Sequence, residues 1–298
     1  MMVDRLKKNK AINTALRGMM AKVTRLSPEL ASRLYYFNEF HQFLHLRHPV
    51  SFEEKLMALK LGEYNHNPLI TQCCDKYKVR EYVTEKGCGD TLNELYGVWD
   101  NVQDIQWELL PNKFVVKCNH GCGYNIFCTD KRKFDKQEAI NKLKIWMAED
   151  FWVKKAEVNY RYIKRRIICE AYIDDSTGEL PTDYKFYCFH GKPMVILVIN
   201  ERSSDKKESF LSLDWIYLGT PLGSNPIEIL PSRPISLERM VEASKVLSEP
   251  FPFVRVDFYQ GKGKPVFGEL TFTPGECLYI GDIDLNGKKM AEYIQLKG

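Results

Sequence analysis

Long hydrophobic runs are missing from this chain of 298 residues. No apolar segment reaches the roughly 18 residues that would indicate a membrane-spanning helix. No Gly-Lys-Ser/Thr sequence opens a helix, which argues against a Walker A phosphate loop. An internal repeat is also missing, so nothing indicates a repeat architecture. A hydrophobic content of 44% with 28% charged residues is instead typical of a globular protein.

The nine cysteines include no Cys-x-x-Cys pair. Cys118, His120 and Cys122 alternate closely, but a structural zinc site needs four ligands and no second cluster supplies the others. Several cysteines lie within apolar runs, where a reduced thiol behaves as a small hydrophobic side chain. We therefore expect no zinc site and reduced thiols.

Basic charge is concentrated at the N-terminal end, although the net charge of +4 is too mild to indicate nucleic acid. Residues 1–25 hold seven Lys and Arg against the single acid Asp4, interleaved with apolar residues. This pattern predicts an amphipathic helix, which could bind an anionic bilayer or a partner. The commoner case, which we favour, is a helix packed on the body. The segment lacks the features of a secretory signal, so we expect a cytoplasmic protein, with peripheral contact at the inner membrane face as the alternative.

Helical patterns dominate the first part of the chain, and short strand patterns dominate from residue 113 onward. Ser51 and Glu54 are spaced as a capping box, and Asp75 is placed to cap a helix ending near Lys86. Gly-containing turns between strands, with helices over 136–152 and 237–247, predict antiparallel sheets layered with helices, an α+β fold. Segments 203–209 and 221–234 read as loops. The predicted strands are 114–118, 125–128, 166–173, 184–189, 194–199, 254–259 and 266–272.

A predicted hairpin carries two facing carboxylates. If its turn centres on Gly263, Asp257 lies directly opposite Glu269, with Cβ atoms about 4.5–5.5 Å apart. Carboxylates held that close repel unless a proton or a cation lies between them. Mg²⁺, which prefers one or two carboxylates plus phosphate oxygens and water, would suit this arrangement. The alternative is a surface hairpin whose acids face water and pair with Arg255 and Lys264, and spacing alone does not decide between the two.

Lysines in apolar strands supply charge of the opposite sign. Lys117 precedes a loop containing Gly121 and Gly123, whose backbone N–H groups could approach phosphates closely, with Asn119 or His120 as a further donor. A plain hairpin turn with Lys117 in solvent is the alternative. Lys185 also lies in a predicted strand, where it shares a strand face with Asp183. Each charge alone is more often a solvated surface group, so the interpretation rests on their combination.

Lys76 and Arg80 are spaced for one helix face. Together the charged motifs occur in the order lysine, lysine with a glycine loop, lysine on a strand, and two acids on a hairpin. In this order, segments 52–55, 75–83, 116–123, 183–192, 255–259 and 268–272 resemble the TupA-like ATP-grasp family over roughly residues 49–285. The resemblance implies an ATP-grasp fold, in which two α+β subdomains with antiparallel sheets, residues 51–165 and 166–298, clasp ATP. A helical region, residues 1–50, would precede them.

The resemblance also implies roles for single residues in binding ATP. Lys76, Lys117 and Lys185 would bind nucleotide phosphates. Residues 121–123 would form the loop that closes over the phosphates, with Cys122 where the family often has Ser. Glu170 would lie on the hinge strand near adenine and ribose.

For the metal and the transferred group, the resemblance implies a second set of residues. Asp257 and Glu269 would hold Mg²⁺. Thr271 would be the third metal ligand, where many ATP-grasp enzymes have Asn. Arg255 or Arg202 would steady the transferred phosphoryl group.

The activity that the resemblance implies is an ADP-forming ligation of a carboxylate to an amine through an acyl phosphate. The family is associated with bacterial surface polysaccharides such as capsule, O-antigen and teichuronopeptide, so a uronic acid or amino sugar would be joined to an amino acid. Two other classes stay open from the sequence. One is a metal-dependent glycosyltransferase that uses a nucleotide sugar, and the other is a non-catalytic assembly protein of the polysaccharide machinery.

Overall fold

The computed structural model describes residues 10–173, 181–200, 207–221, 223–278 and 281–297. In these ranges the α-helices are α1 (Lys10–Leu26), α2 (Pro28–Phe40), α3 (Phe52–Leu61), α4 (Pro68–Cys74), α5 (Val79–Glu85), α6 (Lys136–Ala148) and α7 (Leu237–Ser248). The strands are β1 (Leu95–Trp99), β2 (Phe114–Cys118), β3 (Asn125–Cys128), β4 (Ile167–Ala171), β5 (Asp183–Phe189), β6 (Lys192–Asn200), β7 (Lys207–Leu211), β8 (Tyr217–Gly219), β9 (Phe253–Gln260), β10 (Pro265–Thr271), β11 (Asp284–Leu285) and β12 (Lys288–Lys289). None of the helices in these ranges has the length and apolar character of a membrane span.

The first two helices pack on the body through only part of their surface. Thr24 of α1 and Ala31 of α2 are fully buried, and Arg25 forms an ion pair with Asp150, 2.8 Å apart. By contrast, residues 14–19 of α1 are exposed on every side. The favoured interpretation, a helix packed on the body, therefore holds for the second half of α1 but not for the first.

Helix α3 begins at the predicted capping box. Ser51 Oγ accepts a hydrogen bond from the backbone N–H of Glu54, and the Glu54 carboxylate accepts one from the backbone N–H of Ser51. Behind this cap, the ring of Phe52 packs edge-on against Phe253 of β9. Tyr64 adds a buried hydroxyl that donates to the backbone carbonyl of Phe253 at 2.5 Å and accepts from its N–H at 3.2 Å. These contacts fix α3 to the larger sheet.

The smaller sheet has four antiparallel strands in the order β1-β4-β2-β3. Strands β2 and β3 have the predicted bounds. Strand β1, whose five residues are all half-buried, was not predicted. Strand β4 begins two residues beyond the predicted subdomain boundary between 165 and 166, yet it lies in the middle of this sheet. A division after β4 fits the sheet better, and the predicted bounds remain untested as domain limits.

The larger sheet has six antiparallel strands in the order β10-β9-β5-β6-β7-β8. The predicted strands 184–189, 194–199, 254–259 and 266–272 lie within it with small shifts at their ends. The prediction of a loop over 203–209 is wrong for its last three residues, because β7 starts at Lys207 and pairs with β6. Two layered antiparallel sheets with helices confirm the α+β fold class.

Candidate active site

A cavity of about 760 Å³ lies between the two sheets. Its volume is in the range that holds a small-molecule ligand or cofactor. Both sheets contribute charged side chains to its lining, which together contain five basic and five acidic residues. These are Lys76, Arg80, Lys117, Lys185 and Arg255, and Glu170, Asp183, Glu208, Asp257 and Glu269. Predicted site residues from distant parts of the chain therefore meet at one cavity.

The hairpin of β9 and β10 places two carboxylates opposite each other, as predicted. Asp257 pairs with Glu269 across the hairpin, next to a bulge at Gly268. A Cβ atom at Gly268 would lie 3.1 Å from the backbone oxygen of Asp257, so the bulge favours glycine. Asp257 is only 2% exposed. The alternative of a hairpin whose acids face water is therefore wrong for this residue.

Two cations hold the carboxylate of Asp257. Arg255 reaches it with both ends of its guanidinium, Nε to Oδ1 and Nη2 to Oδ2, each at 2.7 Å. Lys185 lies opposite Asp257 on the neighbouring strand β5, and its Nζ donates to Oδ2 at 2.6 Å. Such a two-pronged contact fixes the carboxylate in one orientation. The strand register therefore determines which charges meet.

Glu269 is paired with a lysine from the opposite side of the cavity. Lys76, between α4 and α5, donates from Nζ to Oε2 at 2.9 Å. Burial alone would raise the pKa of Glu269, but the ammonium groups of Lys76 and Lys185 and the guanidinium of Arg255 hold it well below its usual range. Burial likewise opposes the charge of Lys76, and Glu269 reverses this effect and raises the pKa of the lysine. Both groups are charged at neutral pH.

Thr271 lies beside the two carboxylates rather than in the cavity lining. Its hydroxyl accepts a hydrogen bond from Arg255 Nη2 at 3.1 Å and donates one to Glu269 Oε1 at 2.9 Å. The threonine therefore connects the arginine that holds one carboxylate to the second carboxylate. Its predicted role as a metal ligand is not tested by this contact.

Glu170 forms the matching charge cluster on the smaller sheet. Its Oε2 accepts from Lys117 Nζ at 2.6 Å, and its Oε1 accepts from Arg80 Nη1 at 3.1 Å. Lys117 and Glu170 belong to the neighbouring strands β2 and β4, which explains their approach. The predicted set of site residues did not include Arg80, although its helical spacing from Lys76 was a signal for it.

The glycine loop between β2 and β3 enters the cavity with Cys122 and Gly123. Gly123 adopts a φ of +76° with open space around it, a conformation that glycine adopts at little cost. Gly121 has a packing role, because a Cβ atom there would lie 2.6 Å from the ring of Phe151. The loop therefore presents its tip, rather than its whole length, to the cavity.

His120 is placed away from the cavity lining. It is buried, and its Nε2 donates to the backbone carbonyl of Trp146 in α6 at 3.1 Å. Burial lowers the pKa of this histidine. The structure thus places His120 as support for the loop from behind, and its prediction as a nucleotide contact is not supported by this position. Arg202 lies outside the described residues.

Two residues of the cavity lining, Glu208 and Ser224, were not indicated by any sequence pattern. Glu208 lies on β7, in a segment predicted as a loop, and accepts a short hydrogen bond from Ser224. Both residues lie in the irregular part of the sequence, in which β7 and β8 were not predicted. Asp183, which had been noted only as sharing a strand face with Lys185, also lines the cavity and is almost fully buried.

Residues 54–284 match the sequence model of the family described as TupA-like ATPgrasp. The chain belongs to this family. The match covers more than three quarters of the 298 residues and includes each described residue of the cavity discussed above. The two facing sheets and the cavity between them are therefore those of an ATP-grasp protein. No curated protein matches the sequence at a significant level.

Solved structures similar to this chain include several ligases. D-alanine–D-alanine ligase from Bacillus anthracis, in a complex with ATP, is 19% identical with a TM-score of 0.40, over 67% of this chain and 55% of that one. The D-cycloserine synthetase DcsG is 16% identical with a TM-score of 0.38, over 69% and 64%. Phosphoribosylamine–glycine ligase from Thermotoga maritima is 12% identical with a TM-score of 0.39, over 68% and 48%. The chain thus spans little more than half the length of the first of these.

The residues of the cavity fit ATP and Mg²⁺. Among the described residues, no three His, Cys, Asp or Glu side chains cluster as an all-protein metal cage. Asp257 and Glu269 instead form a pair of carboxylates, which suits Mg²⁺ because this ion takes its other ligands from phosphates and water. Lys76, Lys117 and Lys185 provide ammonium groups for phosphate oxygens, and the tip of the glycine loop provides backbone N–H groups.

Proposed function

We propose that this protein is an ATP- and Mg²⁺-dependent ligase that joins a carboxylate to an amine through an acyl phosphate. The observation that carries the proposal is the meeting of three lysines, an arginine and two facing carboxylates in one cavity between two sheets. A site that only binds a neutral ligand would not need this density of buried charge, because burying charges costs free energy unless they are paired. The family match supports the same activity.

In the proposed reaction, a carboxylate oxygen of the substrate attacks the γ-phosphorus of ATP, and the bond from that phosphorus to the bridging oxygen breaks to release ADP. The amine of the second substrate then attacks the acyl carbon. Phosphate leaves with the bonding electrons, the nitrogen loses a proton, and an amide remains. No nucleophile of the protein is required, so the protein contributes positioning and charge neutralisation.

Specific residues are proposed for each of these tasks. Lys76, Lys117 and Lys185 would hold the phosphates, and Arg255 would neutralise the charge that develops on the transferred phosphoryl group. Mg²⁺, held by Asp257 and Glu269, would withdraw charge from the phosphate oxygens when bound. The family resemblance implies these assignments, and the side chains that line the cavity support them.

For the substrates, we propose a uronic acid or an amino sugar joined to an amino acid, in the cytoplasmic synthesis of a bacterial surface polysaccharide. The association with surface polysaccharides is what the family resemblance implies, and the charged lining supports polar, ionised substrates. The acceptor can be free, linked to a nucleotide or lipid, or part of a polymer. Screening acid and amine pairs for ADP release would identify the substrate pair.

Thermal unfolding with and without ligands tests the proposal. Purified protein is heated alone, with Mg-ATP, with ATP and no divalent metal, and with an Mg-UDP-sugar. Asp257→Asn and Asp214→Asn, the latter an exposed aspartate outside the cavity, are heated in parallel. Ligand at about 100 times its dissociation constant adds roughly 2.7 kcal/mol to stability. We expect Mg-ATP to raise the midpoint by a few degrees in the wild type and in Asp214→Asn, and less in Asp257→Asn.

The same experiment distinguishes the rival functions. Stabilisation by the UDP-sugar but not by Mg-ATP would overturn the ligase proposal in favour of a glycosyltransferase. Stabilisation by neither, in a protein that unfolds cooperatively, would favour a non-catalytic assembly protein. Stabilisation by ATP that does not depend on metal would contradict the role assigned to Asp257 and Glu269.

A further inference from the structure

Helix α2 carries an apolar stripe that no other described part of the chain covers. Leu30, Leu34 and Phe37 recur at the spacing i, i+4, i+7, which places them on one helix face, and each is exposed. Phe43, beyond the end of the helix, is 76% exposed and stacks on Phe37 with ring centroids 5.5 Å apart. Monomeric proteins rarely leave such contiguous apolar groups in water without a functional reason.

Helix α1 carries a second set of exposed apolar side chains. Leu16, Met19 and Leu26 recur at a spacing that places them on one face of α1, and all three are exposed. Leu26, the last residue of α1, is 88% exposed and lies two residues before the start of α2. The seven side chains are together called the apolar surface: Leu16, Met19, Leu26, Leu30, Leu34, Phe37 and Phe43.

Basic charge accompanies the apolar surface. Residues 1–48 contain nine Lys and Arg against three Asp and Glu, which leaves 34 basic and 36 acidic residues for the rest of the chain. The positive net charge of the protein is thus confined to this end. Helical spacing puts Lys22 at the edge of the stripe of α1, beside Met19 and Leu26, and puts Arg17 about 100° round the helix from Leu16. Both are exposed, and neither has an acidic partner in the part of the chain that the structure describes.

We propose that α1 and α2 dock the protein on the anionic surface of a phospholipid bilayer. An apolar helix face flanked by basic side chains is the arrangement that inserts between headgroups and acyl chains while its cations contact phosphates. A second copy of the chain is disfavoured as the occupant, because it would bring the same excess of positive charge to the contact. The proposal does not depend on the ligase activity, and it would bring the active site to membrane-bound precursors.

Sedimentation of the full chain with vesicles tests the docking. Vesicles of equal parts phosphatidylglycerol and phosphatidylcholine are compared with vesicles of phosphatidylcholine alone, at low and high salt. We expect binding to the anionic vesicles that weakens with salt and little binding to the neutral ones. Arg17→Glu with Lys22→Glu should weaken binding by about ten-fold or more. The charge control is Lys133→Glu with Lys144→Glu, two exposed lysines far along the chain, which should retain most of the binding.

The apolar part is tested by Leu30→Ser with Leu34→Ser and Phe37→Ser, against Ile229→Ser with Ile235→Ser as control. The two isoleucines are 87% and 85% exposed and lie outside the apolar surface. We expect the first variant to lose binding and the control to keep it. Because the side chains of Arg17 and Lys22 are exposed, their variant stays informative even if the triple variant fails to fold.

Two results would overturn the proposal. One is an absence of binding to anionic vesicles, or binding that both the charge and apolar variants leave unchanged. The other is a dimer in light scattering that the triple variant abolishes, since the apolar surface would then be covered by a second copy. Stabilisation by Mg-ATP, measured on the same variants, should be unaltered, so that failure of docking is distinguished from failure of the proposed function.

Discussion

A buried carboxyl group near the cavity makes the stability of the protein depend on pH. Glu157 is 6% exposed and accepts a hydrogen bond from Thr273 Oγ1 at 2.7 Å. Burial raises its pKa from 4.5 to about 7, and the negative charges of Glu276 and Glu269 act in the same direction. Thr273 and the buried Lys60 oppose the shift only in part. The folded protein therefore holds the proton of Glu157 more tightly than the unfolded chain does.

The sign and size of the effect follow from this difference. Well below pH 4.5 the group is protonated in both states and costs nothing. As the pH rises toward 7, the unfolded chain releases the proton first, so the free energy of unfolding falls. Above the folded pKa both states are ionised, and the full cost of the buried charge, on the order of 3 kcal/mol, is present.

Glu157→Gln removes the ionisation while Gln keeps an oxygen that can accept from Thr273. We expect the variant to be about 2–3 kcal/mol more stable than the wild type at pH 8, with a difference of about 1 kcal/mol or less at pH 5. Urea unfolding followed by tryptophan fluorescence at both pH values measures this difference. Glu85→Gln is the control, since that side chain is exposed and its loss should produce little pH trend. A variant less stable at pH 8, or an equal change at both pH values, would refute the reasoning.

Three further predictions concern the loop, the core and the phosphate site. Gly121→Ala should lower the free energy of unfolding in urea by about 1–3 kcal/mol through overpacking, and Gly123→Ala by about 1–2 kcal/mol through backbone strain; equal stability with wild type would contradict both. Tyr64→Phe should cost about 1–3 kcal/mol in thermal unfolding, because the buried N–H and C=O of Phe253 each lose a partner. Lys117→Met should weaken Mg-ATP binding by about ten-fold, or 1.4 kcal/mol, in a fluorescence titration, and unchanged affinity would remove this lysine from the site.

Local patterns predicted the facing carboxylates of the hairpin only in part. The turn pairs Gln260 with Pro265, a register that would set Asp257 opposite Gly268, and the bulge at Gly268 brings Glu269 opposite Asp257 instead. The predicted opposition is therefore correct, but the bulge that produces it was not predicted. The capping box at Ser51 was predictable in full, since both partners lie within one helical turn.

Such local patterns could not predict contacts between distant segments of the chain. The pairing of Lys76 with Glu269 and of Arg80 with Glu170 depends on how helices and sheets pack, which no spacing reveals. His120 shows the same limit. Its place in the glycine loop was consistent with a contact to nucleotide, but its ring packs against α6 and faces away from the cavity. Strands β7 and β8 were missed because their sequences lack the alternating pattern of a half-buried strand.

The ion pairs of the cavity bear on which form of nucleotide it accepts. Each of its five cations already has an acidic partner. A triphosphate without metal would have to compete with Asp257 and Glu269 for the lysines and would repel both carboxylates. A triphosphate that carries a divalent cation lets the acids exchange their lysines for the metal, so that the released lysines become available to phosphate. In the proposed ligase, this exchange would discriminate against free ATP, and excess ATP over magnesium would be a poor competitor.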